Sequence, residues 1–296
     1  MTEKYRNLTP EECAKTMRAK VIRCLLIYSF ALVIIVILTL RRQITLNDWL
    51  YDYYISEEVY NELDALFSHL LILGFAVCAI VAIVVMYLQE AFFVGIFNTL
   101  CDPEKYVKAE LIRCKKSLLR RFFKRNKMNI GMAYHAMEDY ESAWKYYEGL
   151  VPANVYQCRN KAILCRLASY FYDRGDDEKA AVYKMRLEEL RASGRRGFLV
   201  ELTLDNISIE DAIKDKRYEE AKNLIAKYIK NSRVSMYNKT GYQYSLGIIA
   251  YETKDIPEAI YRLKAVLETG EKLPFAGDAK AKLDDLLHMI DNASAT

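Results

Sequence analysis

Side chains able to do chemistry are few in this chain, and they are scattered. Its only histidines are His69, His135 and His288, too far apart along the chain to suggest one acid–base centre. The paired carboxylates Asp176-Asp177 and Asp284-Asp285 come closest to a general acid/base couple. Their setting, a turn and the polar side of a closing helix, suits capping or solvated carboxylates. No Ser/His/Asp order, H-E-x-x-H, P-loop or glycine-rich nucleotide motif occurs. The seven cysteines (13, 24, 78, 101, 114, 158 and 165) form no C-x-x-C pair and no Cys/His cluster at metal-ligand spacing. Cys158 and Cys165, seven apart, fall on one face of a helix and read as small core hydrophobes. These patterns predict a protein that is not an enzyme, with no metal and no cofactor.

What remains is binding chemistry, and the charge pattern bounds it. The tail carries Lys4, Arg6, Lys15, Arg18, Lys20 and Arg23, and ten Lys or Arg residues lie between Lys105 and Lys127. From Met128 onward 25 basic residues face 26 acidic ones. A cationic face over the larger part of the chain, as nucleic acid requires, is therefore not expected. The basic charge flanks two uncharged apolar runs, Cys24–Leu40 and Leu70–Leu88. Each is close to the roughly 20 residues that cross a bilayer core at about 1.5 Å per residue. Between them Asp48, Asp52, Glu57, Glu58, Glu62 and Asp64 outnumber Arg41 and Arg42. The positive-inside rule then keeps both termini in the cytoplasm and sends the acidic loop across. The charged leader and the lack of a small-residue cleavage site predict a retained first span, not a signal peptide. Plain hairpin and short tail suit a bacterial inner membrane.

The elements between these landmarks are helical in pattern. Thr9-Pro10-Glu11-Glu12 is a helix start. Ile44–Tyr54 is rich in interfacial Trp and Tyr, and Ser56 opens a capped helix that runs into the second span. Gly74, Cys78 and Ala82, four apart, form a small-residue stripe for close helix packing. The stripe serves the first span of the same chain or a second copy. Neither span carries an ionisable group at depth, which excludes a proton path or an intramembrane protease. Gln89–Leu100, with Phe92, Phe93, Ile96 and Phe97 on one side, predicts an interfacial helix. Glu104–Lys127 follows as a basic helix that either binds anionic lipid or simply marks topology.

From Met128 a pattern recurs. Ile130-Gly131-x-Ala133-Tyr134 leads to Asp139-Tyr140-Glu141-x-Ala143. Leu167-Ala168-x-Tyr170-Phe171 leads to Gly175-Asp176-Asp177-Glu178-x-Ala180. Ile209 and Ala212 precede Lys216-Arg217-Tyr218-Glu219-Glu220-Ala221, and Leu246-Gly247 through Tyr251 leads to Lys254-Asp255-Ile256-Pro257-Glu258-Ala259. A small residue on a first helix admits a second helix, whose alanine sits at the closest approach. Pairs of this kind stack, because each leaves an apolar face for the next. Lys272–Ile290 supplies a closing helix with a polar side. The 23 tyrosines suit helix seams and half-wet grooves.

The L-G-x-x-x-Y…[G/K]-D-Y-x-E-A pattern resembles the tetratricopeptide repeat, best in Leu246–Ala259 and Ile130–Ala143. It is weakest in Ile209–Ala221, where Ile209 replaces the small residue. The resemblance covers residues 128–270. It implies an all-α fold: an N-terminal two-helix transmembrane hairpin followed by a TPR-like α-solenoid of about four helix pairs. The divisions are a cytoplasmic tail (1–20), the hairpin (21–88, with spans 21–40 and 70–88 and loop 41–69), juxtamembrane helices (89–127) and the repeats (128–296). It further implies a protein or peptide partner held on the concave wall of first helices. Matching slots are Met128, Met132, His135, Ser169, Tyr172, Asn206, Glu210, Lys214, Tyr244, Ile248 and Tyr251. Met128 and Met132 stand where a carboxylate clamp would need Lys and Asn, so an apolar or helical segment is the expected ligand. The expected function is a membrane-anchored adaptor or scaffold at the cytoplasmic face. The alternatives are a structural subunit acting through its spans, and a lipid sensor acting through the neck.

Overall fold

The computed structural model describes residues 2–52, 55–116, 124–194 and 197–294. Among them are twelve α-helices and no strand. They divide into two compact units, one of Glu12–Phe93 and one of Met1–Glu11 with Val94–Thr296. The first unit comprises most of α1 (Pro10–Tyr51) and α2 (Glu57–Asn98). At 42 residues each they are about 63 Å long, roughly twice the thickness of a bilayer core. Each holds an 18-residue window of mean hydropathy 2.8 or 2.9 with no residue buried by the protein. Ile27, Phe30, Ile72 and Ile83 stand outward, with backbone bonds satisfied within each helix, as a lipid solvent demands.

The rest of each helix extends beyond its window. Of the stretch from Arg41 to His69, expected as a loop with a capped helix opening at Ser56, residues 41–51 and 57–69 are helical, and Tyr53 and Tyr54 lie outside the described residues. Its polar groups pair across the hairpin and so do not break it. Arg42 Nη2 meets Asp64 Oδ1 at 2.5 Å, its guanidinium lying 5.3 Å from the Phe67 ring centre. Gln43 donates to the Tyr60 hydroxyl, which donates to Asn47, both at 2.9 Å. Ser56 caps α2 at the amide of Val59, and Glu57 and Glu58 favour its positive end.

In the second unit α3 (Pro103–Lys115) is followed by four helix pairs and a closing helix. The pairs are α4 (Lys124–Ala136) with α5 (Tyr140–Tyr147), α6 (Lys161–Asp173) with α7 (Asp177–Ala192), α8 (Phe198–Lys214) with α9 (Tyr218–Ile229), and α10 (Met236–Glu252) with α11 (Ile256–Gly270). The closing helix is α12 (Ala276–Ser294). α3 stops at Lys115 with Lys116 as its C-cap, short of the Lys127 expected, and Ser117–Phe123 lie outside the described residues.

One turn is used four times. Glu138, Gly175, Lys216 and Lys254 each take positive φ, between 59° and 76°. Around each, the next amide reaches back to the last turn of the first helix: Asp139 to Tyr134, Asp176 to Phe171, Arg217 to Ala212 and Asp255 to Ala250. This is the Schellman closure, and its final residue is at once the N-cap of the second helix. Asp139, Asp176 and Asp255 accept from the amides of Ser142, Lys179 and Glu258; Arg217 has no such side-chain bond. Only one of the four left-handed positions is glycine. The other three carry the backbone cost of an L residue there, about 1 kcal/mol each.

The turns fix what each pair brings together. The anchoring alanines 143, 180, 221 and 259 are at most 7% exposed. A Cβ on Gly131 would lie 2.6 Å from Tyr147 Cε1, and one on Gly247 would lie 2.9 Å from Leu263 Cδ2. In the third pair the glycine is replaced by Ile209, and the residue matching Tyr147 and Leu263 is Ile225, in the same buried cluster. The shared volume is divided differently and the helices still meet.

Tyr147 is 1% exposed and cannot swing aside. Gly131→Ala is therefore expected to destabilise the protein by about 1–3 kcal/mol through overpacking. Gly241→Ala, on α10 with nothing within 4 Å of the new methyl, is expected to stabilise it by about 0.5–1 kcal/mol. Thermal unfolding of the detergent-solubilised chain checks both signs; equal effects would refute the close approach.

Candidate functional site

The residues matched to the concave wall do come from the first helices α4, α6, α8 and α10, but most of their polar ends are already spent. His135 Nε2 lies 2.7 Å from Asp173 Oδ2 on the next first helix. Tyr172 donates to Asp211 of α8 at 2.6 Å and accepts from Lys214 Nζ at 3.0 Å. Tyr251 donates to Asp285 of α12 at 2.6 Å, and Tyr244 to Asp278 at 2.7 Å. A rung thus joins each first helix to the next at the first, second and last junctions. At the junction of the third and fourth pairs the corresponding slot holds Ile213, packed with Ile249. There Tyr242 of α10 donates to Asn206 of α8 at 2.6 Å. The α8 and α10 backbones hardly approach each other, and a cleft of about 580 Å³ opens on the side of α9 and α11, floored by Ile225, Ile229, Leu246 and Ala250.

Of the other matched residues, Met132 is buried, while Met128, Ser169 and Ile248 are half-buried. Glu210 differs from all of them. It keeps contact with solvent and makes no hydrogen bond or ion pair among the described residues. Loss of hydration and the charge of Asp173, with Asp211 adding and Lys214 opposing, raise its carboxyl to about 8. Asp211 behaves oppositely: burial works against its charge, yet the bonds from Tyr172 and Lys184 hold it below the ordinary carboxylate range. Tyr237 is a wall residue that sequence matching missed. Burial raises its hydroxyl, with Asp173, Glu210 and Cys101 among the neighbours that add to the shift and Arg166 opposing it. It lies seven residues before Tyr244 on the same face of α10. The signal was the Ser235 cap, which starts α10 more than a turn ahead of the repeat pattern.

The small-residue stripe lies elsewhere. Gly74, Cys78 and Ala82 are half-buried, in line with Gln89, whose amide reaches Cys24 of α1 at 3.0 Å. A methyl on Gly74 would meet no atom within 4 Å, so the two backbones are not pressed together there. In the basic neck, Arg113 is buried in an ion pair with Glu110. Lys105 binds the carbonyls of Tyr5 and Arg6. These two cations of the expected lipid-binding run therefore face inward. Among the described residues no group of three or more His, Cys, Asp or Glu is placed to hold a metal ion. The first helices thus present a face whose polar ends are mostly paired, with Glu210 exposed and without a hydrogen bond or ion pair among the described residues.

Because Glu210 holds its proton more tightly when folded, its contribution to stability is complete below its ordinary value near 4.5. That contribution is lost as pH rises toward 8. Glu210→Gln is expected to gain stability over the parent progressively between those values and to show no gain at the acid end. Unfolding midpoints measured across the range test this, and a pH-independent difference would contradict it. Compared with protein-family models, curated proteins and solved structures, the chain matches none.

Proposed function

We propose that this chain is a membrane-anchored adaptor whose first-helix wall, built as a tetratricopeptide-like solenoid, takes a segment of another protein. One observation carries the reading. Four helix pairs close by the same three-residue turn and follow two helices long and apolar enough to cross a membrane. Stacked pairs leave an elongated wall, and such walls suit extended or helical segments better than small molecules. The wall's half-buried Met, Ser, Tyr and Ile residues offer adaptable contact area, with Glu210 as a polar anchor.

Two experiments test it. A photo-crosslinking residue at Ser169 or Asn206 in cells is expected to capture a discrete protein species, whereas one at Tyr261, exposed on α11, is not. Equal capture from all three, or capture only at Tyr261, would sink the assignment of the wall. For orientation, the charge asymmetry supports repeats on the cytoplasmic side, in a bacterial inner membrane. Asp52→Cys is then expected to react with an impermeant maleimide in intact cells and Asn238→Cys to stay unlabelled. The reverse pattern would turn the domain outward.

A further inference from the structure

The last turn of α2 and the joint that follows belong to the repeat unit, and they lie on its wall. Phe97 packs on Tyr237 with ring centres 4.9 Å apart, and the Tyr237 hydroxyl feels the charges of Asp173, Arg166 and Glu210 from the first helices α6 and α8. Cys101 Sγ rests 3.8 Å from Thr240 Oγ1 of α10. Asp102 Oδ2 meets Lys272 Nζ, just beyond α11, at 2.6 Å. From there α3 runs to the opposite end of the array and packs along α4, with Cys114 close to Tyr146 of α5. Ile96, Phe97, Cys101, Tyr106, Val107 and Ala109 are all at most 3% exposed. One continuous segment therefore touches the first pair and the fourth across the face that would take a partner.

The two ends of this strap are held differently. Along α4 it is packed through a helix face that includes the Glu110–Arg113 ion pair, both side chains at most 5% exposed. Breaking such a pair away from its surroundings is costly. At the fourth pair the polar hold is one long thiol–hydroxyl contact and an ion pair whose lysine is 57% exposed and open to screening, and the rest is the burial of Ile96, Phe97 and Cys101 with the Phe97–Tyr237 ring contact. The joint between them is Cys101, a non-glycine residue at φ 52°, a conformation that costs energy and persists only while its neighbours enforce it.

We propose that the neck is a built-in occupant of the binding wall. Its Phe97–Asp102 end seats on the fourth pair in the resting protein and leaves when a partner segment of the same chemistry docks: an aromatic ring five residues ahead of a carboxylate. This rests on the wall being a peptide-binding surface. The partner's ring replaces Phe97 on Tyr237 and its carboxylate replaces Asp102 on Lys272, while α3 stays on α4.

The test uses the full chain in detergent. Pulsed alkylation is read residue by residue, with Cys165 as control because it is equally buried and remote from the neck. Cys101 is expected to react at least tenfold faster in Phe97→Ala than in the parent, with Cys165 unchanged. If Phe97→Ala speeds both thiols it has loosened the fold, and Lys272→Ala, at an exposed side chain, becomes the deciding variant. The second readout is a fluorescein-labelled peptide of residues 94–103 with serine for the cysteine. It is expected to bind the loosened variant tenfold or more tighter than the parent. It should not bind Thr240→Cys once oxidised to a disulfide with Cys101, and reductant should restore binding. Cys101 labelling that never departs from that of Cys165 overturns the inference and leaves the wall's role to the crosslinking test. Faster Cys101 labelling with no peptide binding to any variant overturns both, and equal binding to locked and loosened chains overturns the inference alone.

Discussion

Everything in the repeat unit hangs on a turn in which one residue ends a helix and begins the next. Asp139, Asp176, Arg217 and Asp255 each close the preceding helix through their amide, and all but Arg217 cap the following one with a carboxylate. With only three residues between helices there is no slack. The second helix must return along the first, and a residue on one is set against a residue sixteen further on, as Gly131 is against Tyr147 and Gly247 against Leu263. Core composition can then vary: Ile209 and Ile225 share a buried cluster where two other pairs set glycine against a larger side chain.

Between pairs a second rule operates. Each first helix must pack against the next, and a wall of closely set helices carries carboxylates that would lose hydration. Tyrosine and histidine meet that cost by donating to them: His135 to Asp173, Tyr172 to Asp211, Tyr251 to Asp285. A donor that is mostly ring also fills the seam with apolar surface. The abundance of tyrosine is thus an architectural property first. Glu210 is exposed and has no such donor among the described residues, and at the junction where Ile213 takes the rung's slot Tyr242 bonds Asn206 instead.

Much of this was legible in the residues. The two apolar runs lie inside the two long helices, and the repeated alanines sit at buried helix contacts. The helix after Ser56 was legible from its cap, but the helical content of residues 41–51 was not, because Arg42 and Asp64 look like span boundaries when taken singly and show as a cross-helix pair only when both helices are extended. The wall was half legible. Spacing alone placed His135, Tyr172, Tyr244 and Tyr251 on first helices, but nothing local tells a free hydroxyl from one donating to a carboxylate some 34 residues on. Phe97 was read as part of an apolar stripe facing a membrane surface. A stripe carries no record of whether lipid or protein covers it, and here Tyr237 does.

The rungs have a chemical limit that purely apolar contacts do not share. A tyrosine bonded to a carboxylate has a single proton to give, and removing it leaves two anions face to face. In Tyr172 and Tyr244 burial, then the acid partner, raises the hydroxyl above its ordinary value near 10; in Tyr251 the bond to Asp285 does so first. The folded chain therefore holds these protons where an unfolded chain would release them, and its seams lose support as the solution becomes alkaline beyond that point. Acid also works against them, because, against burial, the same bonds hold Asp211 and Asp278 below the ordinary carboxylate range, and protonating those carboxyls gives up part of the contact. Inside the pairs the contacts are mixed: Gly247 on Leu263 carries no proton, but the Tyr147 ring on Gly131 bears a hydroxyl that burial raises, and Tyr228 donates to Asp205 within the third pair. Strong base thus acts on every seam held by a phenol, between pairs or within one, and leaves the Gly247–Leu263 contact of the fourth pair untouched.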